Sequence, residues 1–98
     1  MKILETTIKK SVFVYRLKKR NDVVAIYEQL HENVLVGHEV FIVPKYAERE
    51  INGVNIEAHE ALPGDNAFGV TAFSTGKDYN RALVKFDELT DRVNNRAS

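Results

Sequence analysis

Three histidines lie close to a carboxylate in the chain: His31 beside Glu32, His38 beside Glu39, and His59 two residues after Glu57. An imidazole near a carboxylate can share a metal ion or work as an acid–base pair. The spacing does not support either role. No His-x-x-x-His pair occurs, and no Glu-x-x-His falls on a segment expected to be helical. The three histidines fall in segments that read as turn or exposed strand, where a solvated polar side chain is the ordinary finding.

Four carboxylates, Glu48, Glu50, Glu57 and Glu60, flank Asn52-Gly53. Paired carboxylates at a fixed separation can hydrolyse glycosides, but they need a deep cleft, and a chain of 98 residues offers no obvious one. They read better as the polar face of a hairpin. An acidic ribbon can also imitate a phosphate backbone and occupy a basic protein surface. Glu48, Glu50 and Glu57 are therefore the candidate protein contacts. The opposite charge is concentrated at residues 9–20, where Lys9, Lys10, Arg16, Lys18, Lys19 and Arg20 alternate with Phe13 and Tyr15. Bases neutralise phosphates and aromatic rings stack on unpaired bases, so Lys9, Lys10, Tyr15, Arg16, Lys18, Lys19 and Arg20 form the candidate nucleic-acid contact. Lysines at strand ends also guard sheet edges against aggregation.

Other chemistries find no support. Gly64 and Gly69 have phosphate-loop spacing, but Val70-Thr71 follows in place of Lys-Ser/Thr. Asp65-Asn66 is too small a cluster for a calcium loop. No Gly-x-Ser-x-Gly elbow is present. Zero Cys excludes disulfides, thiolate metal sites and thiol nucleophiles. No catalytic, cofactor or metal site is assigned, and the chain reads as a non-enzyme.

The elements that must position these residues follow from periodicity. Ser11–Lys19 alternates β-branched and aromatic residues with period two and reads as a strand. Val23–Leu30 fits either a strand or a capped helix, and its Val-Val-Ala-Ile-Tyr composition favours the strand. Val34–Val43 is a strand that Pro44 ends or places at an edge. Asn52-Gly53 is the strongest hairpin turn signal in the chain. Phe68–Ser74 reads as the last strand. Thr75 with Asp78 resembles a capping box, and Tyr79, Ala82, Leu83, Phe86, Leu89 and Val93 then recur at helical spacing to make one apolar stripe. Asn94-Asn95 would stop the helix, leaving residues 95–98 frayed. The expected architecture is α+β: an antiparallel, meander-like sheet of four to five strands with one C-terminal amphipathic helix packed on one face. The other face would be open. Residues 1–98 read as a single domain, with 1–10 an extended arm or edge strand.

The charge balance sharpens this picture. Fourteen bases and fourteen acids cancel, yet residues 1–20 hold seven bases and one acid, and residues 21–69 hold two bases and nine acids. Zero net charge argues against a dedicated nucleic-acid binder. The absence of Cys fits a cytoplasmic setting, and no apolar run approaches the length that spans a bilayer.

The order Val24-Ala25-Ile26-Tyr27-Glu28-Gln29, Glu39-Val40-Phe41-Ile42-Val43, Asn52-Gly53, Ala61-Leu62-Pro63, Phe68-Gly69 and a closing helix with Ala82 and Phe86 resembles small uncharacterised single-domain proteins of bacteriophages and bacterial mobile elements. The likeness spans residues 12–90. It implies a compact domain and transfers no catalytic residue. His38 stands where such proteins are expected to carry an aromatic residue such as Tyr, which reads as an exposed position. The expected function is a non-enzymatic accessory protein acting by protein–protein contact, with nucleic-acid binding as the alternative. A homodimer through an edge strand, Val40–Tyr46 or Ile3–Ile8, is the further partner considered, with no cofactor and no membrane.

Overall fold

The structure, a computed structural model, describes residues 1–97, with side chains described through Asn95. Tight turns build most of its sheet. Strands β1 (Thr7–Lys10) and β2 (Phe13–Arg20) join through Ser11-Val12, and β3 (Val24–His31) joins β4 (Val34–Ile42) through Glu32-Asn33. Glu32 and Asn33 both take positive φ, 51° and 66°, the twist that suits a two-residue hairpin. Between β2 and β3, Asn21 Oδ1 accepts from the N–H groups of Val23 and Val24 at 2.9 and 2.8 Å. That side chain closes the turn, and the Asn21 N–H bonds the Val24 carbonyl at 3.0 Å, which sends Val24 back along β2 as a strand.

After Pro44 the chain leaves the sheet through β5 (Lys45–Tyr46), β6 (Arg49–Ile51), β7 (Val54–Ile56) and β8 (His59–Glu60). A short 3-10 turn, Asp65–Ala67, precedes β9 (Ala72–Gly76), and α1 (Tyr79–Ala97) closes the chain. The main sheet has the order β1-β2-β3-β4-β9, antiparallel throughout. The fold is α+β, with the helix on one face. β5 pairs with β8, and β6 with β7.

Period-two alternation divides the sheet between two cores. On the helix side, Val24, Ile26 and Val40 pack against Ala82, Phe86 and Leu89, with Phe73, Tyr79 and Leu83 at the margin. On the other side lie Tyr15, Ala25, Tyr27, Phe41, Val43 and Ala72. This second face is not open as expected. Leu4 and Ile8 of the N-terminal segment and Leu62, Ala67 and Phe68 of the returning loop cover it. The Tyr27 hydroxyl donates to the Glu5 carbonyl at 2.7 Å, and its ring stacks on Phe41 at 5.7 Å. Tyr15, Tyr27 and Phe13 are thus covered on the side opposite the helix, while Phe73 faces it.

Four further expectations need correction. The last strand starts at Ala72, not Phe68, because residues 67–71 form a turn in which Gly69 has φ 86° and Thr71 N–H bonds the Ala67 carbonyl. Thr75 belongs to that strand, and Asp78 caps the helix by accepting from Asn80 N–H at 2.9 Å. The helix runs through Asn94-Asn95 to Ala97, since two Asn cost well under about 2 kcal/mol of propensity. Of the expected frayed tail, Ser98 lies outside the described residues. Finally, β4 has β3 on one side and β9 on the other, so Val40–Ile42 is interior and cannot serve as a dimer edge.

Glu39 shares the covered face with Tyr27 through its register position. Burial pushes its carboxyl above the usual carboxylate range, and the Lys10 charge only partly offsets this. A raised acid holds its proton more tightly when folded. Its stabilising contribution is complete below the ordinary value of 4.5 and is lost as pH rises through the folded value. Glu39→Gln is therefore expected to stabilise the protein at pH 7 by about 0.5–1 kcal/mol. Thermal melts across a pH series check this: the gain should vanish in acid, where both side chains are neutral.

Candidate interaction surfaces

The acidic residues singled out in the sequence sit on an arm. Asn52 and Gly53, with φ 51° and 79°, make the expected turn between β6 and β7. Glu50 pairs with Asn55 across the arm, and Glu48 Oε1 accepts from Asn55 Nδ2 at 2.8 Å. Glu48, Glu50 and Asn55 therefore share one face, and alternation gives the other to Ile51, Val54 and Ile56. Ile51 and Val54 face each other at the tip and are 42% and 62% exposed. Apart from Ile56, every residue of the two strands is exposed. At the arm's base is a groove of about 470 Å³ with Ile3, Leu4, Ile8 and Ile56 on its walls and Glu57 at its rim.

The N-terminal segment that forms one side of this groove is held by backbone and charge. Lys2 N–H donates to the Ala58 carbonyl at 2.9 Å, and Glu60 N–H to the Lys2 carbonyl at 2.8 Å. Glu60 Oε1 accepts from Leu4 N–H at 3.0 Å. Arg20 clasps the same carboxylate with two hydrogen bonds of 2.8 and 3.0 Å. The Arg20 guanidinium holds the Glu60 carboxyl below its ordinary value, outweighing burial, with the Leu4 N–H adding to the effect.

The seven basic-strand candidates do not all share one surface. A bulge between Leu17 and Lys19 turns two consecutive lysines to the helix side. Lys18 lies 5.8 Å from the Tyr79 ring centre and Lys19 5.0 Å from that of Phe86. Arg16 lies across from Glu28 and pairs with it at 2.8 Å. Lys9 is exposed on β1. Lys10 acts instead on Glu39, on the opposite face. Arg20 is committed to Glu60. Tyr15 is only 7% exposed, and its hydroxyl accepts from Gln29 at 3.1 Å. Desolvation raises the Tyr15 hydroxyl above its usual range, with the Glu39 charge adding to it. The aromatic ring that was to stack on bases is thus buried away from most of the cations.

Each histidine lies against an aromatic ring. His38 is 4% exposed, contrary to the expected solvated position; its Nδ1 donates to the Gly76 carbonyl at 2.9 Å and its ring meets Tyr79 at 5.4 Å. His59 stacks on Tyr46 at 5.3 Å, and His31 sits 5.8 Å from Phe13. Among the described residues no three His, Cys, Asp or Glu side chains gather as a metal site. No described helix is long and apolar enough to cross a membrane.

One surface had no sequence signal. Between β9 and α1 runs a groove of about 440 Å³ bounded by Ser74, Thr75, Gly76, Arg81, Val84 and Lys85. Thr75 Oγ1 is buried there without a hydrogen-bond partner. Lys85 pairs with Glu88 at 2.7 Å and lies 4.4 Å from the Phe73 ring centre.

No protein-family model, curated protein or solved structure matches the chain. The functional reading rests on these surfaces.

Proposed function

We propose that the chain is a small, cytoplasmic, non-enzymatic binding domain that acts by protein–protein contact through its acidic arm. The observation that carries this is the arm itself: an acidic face and an exposed aliphatic tip on two strands whose residues, apart from Ile56, are exposed. An isolated two-stranded hairpin is marginal in water, so a docked partner would complete it. Glu48 and Glu50 would select a basic surface, and Ile51 and Val54 would bury apolar area once docked.

Charge reversal tests the reading. Replacing Glu48, Glu50 and Glu57 with Lys should leave the melting curve within about 0.5 kcal/mol of the parent, because the sites are exposed. The same change should abolish the cross-links that the parent forms with its partner. An unchanged cross-linking pattern would remove the arm from the contact. Nucleic-acid binding through Lys9, Arg16, Lys18 and Lys19 is the second reading, and these cations do gather on the helix side of β1 and β2. The burial of Tyr15 weighs against it, and titration with single-stranded oligonucleotides at low salt separates the two.

A further inference from the structure

We infer that the arm's partner is a second copy of this chain, whose β9 edge receives the arm as an added strand. This inference rests on the arm being a contact surface, and three observations extend it to the acceptor.

The first is the asymmetry of the two sheet edges. β1 has Lys9 and Lys10 among its four residues, the usual guard against edge pairing. β9, at the other edge, is Ala72-Phe73-Ser74-Thr75-Gly76 and has no charge or proline; Ala72 is bridged to Phe68 of the preceding turn, with the Gly69 N–H on its carbonyl, and among the described residues no further strand pairs with the edge beyond it. It is an unguarded template for a further strand.

The second is the chemistry beside that edge. Arg81 has no ion-pair partner among the described residues, and Lys85 stands next to it on the same groove wall. Val84, 60% exposed, supplies an apolar contact. Arg81 is the complement of Glu48 and Glu50, and Val84 of the aliphatic tip; Lys85 adds positive charge to the wall while paired with Glu88.

The third is position. The base of the arm packs near Ile8 of β1, and β9 lies four strand spacings away, about 19 Å across the sheet. Donor and acceptor of one molecule therefore sit at opposite edges and do not meet. Two copies can exchange arms about a twofold axis, each arm on the other's β9, or the contacts can run head to tail into a ring or a filament.

The full-length protein is examined by sedimentation velocity and light scattering up to about 1 mM. The parent should assemble as concentration rises, to a twofold arm-exchanged dimer or beyond. Glu48→Lys with Glu50→Lys removes the donor, and Arg81→Glu removes the acceptor; each variant should be a folded monomer. An equal mixture of the two retains one good donor and one good acceptor, so it should form a dimer of twice 11.2 kDa and grow no further. Combining all three changes in one chain restores opposite charges and should restore assembly. A parent that stays monomeric, or a mixture that stays monomeric, overturns the inference. If the parent is monomeric but the arm variant still loses a cross-linked partner, the arm remains a contact surface and only self-docking is wrong. If the arm variant changes neither property, both readings fall together.

Discussion

Replacing Glu60 with Ala is expected to destabilise the protein by about 3 kcal/mol, at the lower end of the cost of breaking a buried ion pair. The Glu60 side chain is 3% exposed, and its two oxygens hold Arg20 and the Leu4 N–H together. Removing it leaves the guanidinium facing a void with the Asn21 carbonyl as its remaining acceptor among the described residues, and takes the acceptor from the Leu4 N–H while the backbone bonds of Lys2 to residues 58 and 60 stay. Arg20 keeps partial access to water, which limits the penalty. A loss of this size lowers the melting temperature by roughly 12–24 °C. The dependence on pH identifies the cause. Because the folded carboxyl lies below its ordinary value of 4.5, its contribution is complete above that pH and disappears as pH falls through the folded value. The gap between parent and Glu60→Ala should be constant at neutral pH and should narrow in acid. A gap that stays constant into acid would assign the loss to packing and not to the ion pair.

Phe86→Ala is expected to cost about 3–5 kcal/mol, because it empties the centre of the helix-side core. Phe86 is buried with Val24, Ile26, Val40 and Leu89, and Lys19 lies over its outer ring face. Against a total stability of about 5–15 kcal/mol, that removes from about a fifth to the whole of the margin. Denaturant titration followed by helical circular dichroism measures it. A cost below about 1 kcal/mol would mean that the helix does not depend on its apolar stripe for docking.

Much of this arrangement could be read from local pattern. The stripe from Tyr79 to Val93 and the alternation in Phe13–Leu17 and Val24–Glu28 are periodic signals, and Asn52-Gly53 is a turn whose backbone only a few residue pairs adopt. Other features depend on partners far along the chain. Glu60 meets Arg20 forty residues away, and no spacing rule links them. His38 is buried because a backbone carbonyl, that of Gly76, accepts its proton; residue type alone does not reveal that. Leu62, Ala67 and Phe68 cover the second face from a loop, where apolar residues carry no period. The acidic residues of the arm were legible because one hairpin gathers them. The seven basic-strand residues were not, because alternation, one bulge and two long-range ion pairs send them to different sides.

The long excursion between β4 and β9 has a consequence for how the sheet opens and closes. β1 to β4 pair across turns of a few residues, whereas Phe41 pairs with Ala72 across some thirty. Closing the longer loop costs about 2 kcal/mol more in chain entropy than closing a two- or three-residue turn. The meander can therefore stand while β9 and α1, which contact each other and the same β4 strand, detach as one cooperative unit. Amide exchange would report such a unit as a protection step below that of β3. The β9 edge belongs to that unit, and a strand added there would raise the free energy of its opening.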